Sequence, residues 1–138
     1  MSEQETRALV TRYLEAFNAG DHEAMLALVG EEVAHDPFDA EREIGRDKLR
    51  WRLGLFARHF DERLADIAVM VAPGGVRAAA EFTIRGTYRA TADGLPQATG
   101  QSYVLPGGLF FEVDDGSITR ISAYRNPATW RSALGRDG

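Results

Sequence analysis

Residues 76 to 90 read VRAAAEFTIRGTYRA. Val76, Ala78, Ala80, Phe82, Ile84 and Tyr88 hold one phase, and Arg77, Glu81, Thr83, Arg85 and Arg89 hold the other. A period of two over so long a stretch is the mark of a half-buried strand, because successive side chains point to opposite faces of a sheet. One face of that sheet must be covered, so the rest of the chain has to supply the cover.

The cover is legible upstream. Leu9, Val10, Tyr13, Leu14 and Phe17 recur at spacings of three and four, which predicts an amphipathic helix over residues 3 to 19. Gly20 stops it, and Asp21 is placed to cap a short second helix containing Met25, Leu26, Leu28 and Val29 and ending at Gly30. EEVAHDPF, residues 31 to 38, reads as a short strand closed by Pro37, and FDAERE as a polar connection. A third helix is predicted from Arg46 to Phe60, burying Leu49, Leu53, Phe56 and Phe60. Beyond it the period turns twofold: residues 62 to 72, the long strand above, QSYVLPGGLFFEV and ITRISAYR, the last two joined by the tight turn DDG. PGG inside QSYVLPGGLFFEV suggests a bulge or bend, and a short helix follows Pro127. Helices segregated from an antiparallel meander define an α+β fold: three N-terminal helices packed on a curved antiparallel sheet that encloses a cone-shaped pocket.

Composition restricts the function classes. A length of 138 residues suits a single domain, residues 1–138. A formal net charge of −5 weighs against nucleic-acid binding, which depends on neutralising phosphates. Arg46, Lys48, Arg50, Arg52 and Arg58 crowd one segment, read as a solvated helix face. The chain has no cysteine, hence no disulfide and no thiolate metal site. Its three histidines, His22, His35 and His59, fall on separate elements, so neither a metal nor a cofactor is expected. No apolar run is long enough to cross a membrane, and MSEQETRALV lacks the pattern of a signal peptide, so a cytoplasmic location is the expectation.

RYLEAFNAGDHEAMLALVGEEVAHDP, REIGRDKL, FTIRGTY and VLPGGLFFEVDDGSITRISAY resemble corresponding stretches of ketosteroid isomerases and the wider SnoaL-like, NTF2-like (cystatin-like) superfamily. The resemblance spans roughly residues 7 to 125 and implies the cone described above. In ketosteroid isomerases the aspartate of an Asp-Pro pair is the general base; Asp36-Pro37 matches it, although one residue fewer separates the acidic pair Glu31-Glu32 from the aspartate. Tyr13 matches the first-helix tyrosine that donates a hydrogen bond to the enolate oxygen. The family's second donor is a protonated aspartic acid on a late strand, kept neutral by its apolar surroundings. Counted from Pro106, that position is Gly108 here, and Leu53 stands near the place of a supporting tyrosine. One such donor is worth about 3 kcal/mol in rate, so another group must replace it if the activity is retained.

Arg125 is the candidate replacement, on the cavity face of the last strand, able to hold an enolate or a substrate carboxylate. The resemblance turns Asp36 inward and His35 outward. Phe17, Phe82, Ile84, Phe110 and Trp51 are the candidate wall of the ligand site. VLPGGLFFEV is apolar in both phases, and members of the superfamily pair through the outer sheet face, so a homodimer is expected. Two functions remain open. One is an enzyme of the ketosteroid isomerase type, moving a proton next to the carbonyl of a small apolar or partly polar ligand. The other is a non-catalytic binding or assembly module that kept the pocket and lost part of the chemistry, as Gly108 suggests.

Overall fold

The computed structural model describes residues 2–135. Its elements run α1 (Glu3–Asn18), α2 (His22–Leu26), β1 (Val29–Asp36), β2 (Glu43–Ile44), α3 (Arg46–His59), β3 (Phe60–Val71), β4 (Arg77–Tyr88), β5 (Ser102–Asp114), β6 (Ser117–Tyr124) and α4 (Pro127–Leu134). The helix starts are written locally. Ser2 and Glu5 form a reciprocal capping box, with backbone-to-side-chain bonds of 2.9 and 3.0 Å. Asp21 caps α2 through the Ala24 amide at 3.0 Å, and Asn126 caps α4 ahead of Pro127.

The strands form one six-stranded sheet in the order β2-β1-β6-β5-β4-β3. The meander from β3 to β6 is antiparallel, as the alternation predicts. The sheet as a whole is mixed, because β1 joins β6 in parallel, and the expectation of a purely antiparallel sheet is corrected there. A parallel neighbour needs a long crossover, and everything from α3 to β5 serves as one. The same pairing shortens α2. Val29 sits opposite Ile118 in the β1–β6 register, so the sheet claims a residue that helical spacing assigned to the helix. PGG does not break β5, which is continuous from Ser102 to Asp114; its irregularity falls between Glu112 and Val113. The DDG turn is as expected, with Asp115 and Gly116 both left-handed at φ 49° and 81°.

Inward residues of the sheet and the apolar stripe of α1 build one core that includes Leu9, Leu14, Ile84, Phe111, Ile118 and Ile121. α4 is a fourth contributor beyond the three N-terminal helices, burying Trp130, Ala133 and Leu134. Asp66, left-handed at φ 53°, marks a bulge in β3 between Ala65 and Ala68. Just before it, the Asn18 side chain bonds both backbone groups of Leu64 (2.9 and 2.8 Å), tying α1 to this edge strand. Among the described residues no helix is long and apolar enough to cross a membrane.

Candidate active site

Between the helices and the inner face of the sheet lies a cavity of about 630 Å³. That is within the range of small-molecule sites. Phe17, Phe38, Phe56, Phe60, Phe82 and Trp130 give its walls an aromatic part, beside aliphatic and charged residues. Phe56 stacks on Phe60 at 4.7 Å, and Phe60 on Tyr88 at 5.0 Å, so much of that part is one packed aromatic unit. The loop after β4 rims the mouth with Ala92, Asp93 and Leu95. Tyr88 pins that loop, its hydroxyl donating to the Pro96 carbonyl (2.6 Å) and accepting from the Ala92 amide (2.9 Å).

Of the candidate site residues, Tyr13, Phe17, Phe82 and Arg125 line this cavity. Tyr13 is buried on α1 with its ring edge-on to Phe111 at 5.8 Å. Its hydroxyl has no hydrogen-bond partner among the described residues, and burial pushes its pKa above the ordinary phenol value. It therefore stays protonated and remains free to donate.

Asp36 is not in the cavity, and the expectation that it points inward is corrected. It lies on the outer face, where its Oδ1 and Oδ2 accept from Arg42 Nε (2.7 Å) and Nη2 (3.0 Å) and its Oδ2 from Ser122 Oγ (2.5 Å). His35 lines the cavity instead. The β1–β6 register fixes this arrangement: His35 pairs with Ile121, which lines the cavity, and Asp36 with Ser122, which does not, so alternation sends the two neighbours to opposite faces.

The Arg42 bond, aided by Ser122, holds the Asp36 carboxyl down at about 2. A carboxyl pKa lower in the folded than in the unfolded chain stabilises the fold above the unfolded value of 3.8, and that stability is lost as pH falls toward 2. Replacing Asp36 with asparagine is expected to cost about 1 kcal/mol at pH 7, since Arg42 is half-exposed and the pair is screened. It should also flatten the acid limb between those pH values in a urea-denaturation series.

Three other wall candidates are relocated. Phe110 follows the alternation of β5 to the outer face, is 48% exposed, and meets Tyr124 edge-on at 5.4 Å. Trp51 is 52% exposed on the solvent side of α3, with the Lys48 ammonium 4.5 Å from its ring centre. Ile84 is on the inner face but is 1% exposed and does not reach the cavity.

His35 is the first site residue that sequence reasoning set aside. Its Nδ1 is buried with no hydrogen-bond partner among the described residues. Burial lowers its pKa; the Glu43 carboxylate works against that shift and Arg52 adds to it. Glu43 stands directly opposite His35 in the β1–β2 register. Arg52, from α3, grips Glu43 with two bonds of 3.0 and 2.6 Å. The second overlooked residue is Glu62, whose side chain is only 2% exposed. Arg125 donates to both its oxygens, at 2.7 and 2.9 Å, and the Tyr103 hydroxyl donates to Oε2 as well. Burial, followed by the Glu62 charge, pushes the Tyr103 pKa up. Glu62 carried a signal: in FDERL it shares a phase with Phe60 and Leu64, a carboxylate at an inward position. Among the described residues no group of three or more His, Cys, Asp or Glu is arranged to hold a metal.

The family model of the SnoaL-like domain matches residues 10–121. A candidate polyketide cyclase from Xanthomonas campestris pv. campestris is 45% identical, with 96% of this chain and 98% of that chain covered and a TM-score of 0.95. Another candidate polyketide cyclase, from a Silicibacter species, is 39% identical over 99% of each chain with a TM-score of 0.93. An LEH-like epoxide hydrolase of Mycobacterium tuberculosis shares the fold at 19% identity, covering 96% of this chain and 86% of that chain, with a TM-score of 0.70. No curated protein matches the chain. The sheet that wraps the cavity, the helices that close it and the match over most of the length agree, and the chain belongs to the SnoaL-like family.

Proposed function

We propose that the protein is a small-molecule enzyme that moves a proton next to a carbonyl inside this cavity, with His35 as the base. The observation that carries the reading is an imidazole on the cavity wall, beside aromatic side chains, that burial keeps neutral. Its Nδ1 is shielded, which leaves Nε2 to meet a ligand. A neutral imidazole is suited to taking a carbon-bound proton near neutral pH and to returning it. The Tyr13 hydroxyl donates to the enolate oxygen as charge develops there. Arg125 is the second group able to hold that oxygen. Two of its five N–H groups are taken by Glu62, and the others remain for a ligand.

The candidate cyclases at 45% and 39% identity favour a substrate with several carbonyl groups. In that case the enolate carbon attacks a second carbonyl of the same molecule, and the new alkoxide takes the proton back from the His35 imidazolium. In the isomerase version the same proton returns to a carbon further along the conjugated system. The ketosteroid isomerase assignment of Asp36 as base has no support from its position on the outer face.

The test is conversion of a β,γ-unsaturated 3-ketosteroid to the conjugated enone, followed by ultraviolet absorbance. Wild type is expected to turn over, His35→Gln to lose about a hundredfold or more in kcat/KM, and Asp36→Asn to stay within about threefold. The reverse pattern would return the base to Asp36. Ketone binding without turnover would favour the non-catalytic binding module.

A homodimer through the outer sheet face is part of the same proposal. Val104, Phe110 and Tyr124 are 58%, 48% and 61% exposed there, an apolar patch of the kind that marks a contact. Sedimentation equilibrium at micromolar concentration is expected to give a dimer, and Phe110→Lys a monomer.

A further inference from the structure

Two guanidinium groups reach the inner wall of the cavity, and each arrives with a carboxylate of its own: Arg125 with Glu62, and Arg52 with Glu43. A third, Arg89, stands at the exposed rim and donates to the Ala57 carbonyl. Asp39, Asp61 and Asp93 also line the cavity, and none has an ion-pair partner among the described residues. The inner wall therefore holds polar donors but offers an anion no unpaired cation; Arg89, the lining guanidinium without a carboxylate among the described residues, stays at the rim.

We infer that Glu62 sets the specificity of the cavity: by neutralising Arg125 it admits uncharged, planar carbonyl ligands and excludes carboxylates. An anion entering an apolar chamber loses its water and must gain a cation in exchange. Arg125 could provide one only if Glu62 were displaced. Glu62 is held by two guanidinium bonds and the Tyr103 hydroxyl, and its side chain is 2% exposed, so displacing it means breaking all three bonds. A neutral carbonyl oxygen meets no such barrier, since it can accept an N–H of Arg125 that Glu62 does not use. Shape adds to charge. The guanidinium centre lies 4.3 Å from the centre of the Phe38 ring, extending the aromatic walls. This selection rests on the cavity being the substrate site, and it does not depend on His35 being the base.

The experiment compares two planar probes of similar shape, 2-acetylnaphthalene and 2-naphthoate, by isothermal titration at pH 7. Wild type is expected to bind the ketone about tenfold or more tightly than the acid. Glu62→Gln, which frees the Arg125 charge, is expected to gain about tenfold or more for naphthoate. The double variant Glu62→Leu/Arg125→Met should reject naphthoate again. Equal wild-type affinities would overturn the proposal without any variant, and so would a folded Glu62→Gln protein with unchanged preference. Binding of neither probe by wild type would overturn both the proposal and the assignment of the cavity as a substrate site. The proton-transfer reading fails separately. It is lost if bound 2-acetylnaphthalene exchanges its methyl protons into deuterated solvent no faster with wild type than with His35→Gln, a result that leaves the charge selection standing.

Discussion

Replacing Arg125 with methionine is expected to lower the unfolding free energy by about 3–5 kcal/mol at pH 7, measured by urea denaturation. The cause is what remains behind. Glu62 is 2% exposed, and without the guanidinium its charge keeps only the Tyr103 hydroxyl. Methionine fills much of the arginine's space, so the cost is electrostatic rather than a cavity. The pair itself contributes far less than that figure, because both ions lose water on burial. The double replacement Glu62→Leu/Arg125→Met is accordingly expected to recover to within about 1 kcal/mol of wild type. A single variant costing less than about 1 kcal/mol would mean that water reaches Glu62 and that the pair is not truly buried.

Gly86→Ala is expected to cost about 3 kcal/mol or more, through a different cause. Gly86 lies opposite Tyr103 in the β4–β5 register, and the Tyr103 ring lies across it. A Cβ added at Gly86 would stand 2.2 Å from Tyr103 Cζ and 2.5 Å from its hydroxyl oxygen. The ring cannot move cheaply. Its hydroxyl is bonded to Glu62, and its ring contacts Phe60 and Trp130 edge-on at 6.5 and 6.4 Å. Thermal unfolding should show the loss, with a drop in Tm of several degrees per kcal/mol. The same variant should weaken ketone binding, because displacing Tyr103 loosens Glu62 and with it Arg125. Gly107→Ala, whose Cβ would fall 2.5 Å from Ile84 Cδ1, offers a comparison in which the crowding falls on a core side chain with no polar contact.

Much of the fold was legible because local chemistry and long-range packing agree. Ser2, Asp21 and Asn126 cap helices as their side chains allow, and the alternation of β4 survives residue by residue in its burial. The site was harder to see for a reason of geometry. In EEVAHDPF the neighbours His35 and Asp36 are both polar, and period two separates them without saying which face is inside. That choice was made by pairing with β6, where Asp36 meets Ser122, a partner 86 residues away. The pairing of Glu62 was hidden similarly: FDERL puts a carboxylate at an inward position, but its partner Arg125 lies 63 residues away, at the end of β6. Phe110 and Trp51 were misplaced because apolar character alone does not distinguish a cavity wall from an exposed patch.

The parallel pairing of β1 with β6 has a kinetic consequence. β1 has only β2, two residues long, as its other neighbour, so the strand carrying His35 has almost no sheet to join until the last strand is in place. The meander from β3 to β5 pairs strands that are successive in sequence and can form early, whereas the β1–β6 contact must close a far longer loop and forms late. The half-built molecule therefore has aromatic walls without the imidazole. A ligand that needs both recognises the finished chain alone, and its full binding energy adds to the stability of that final state.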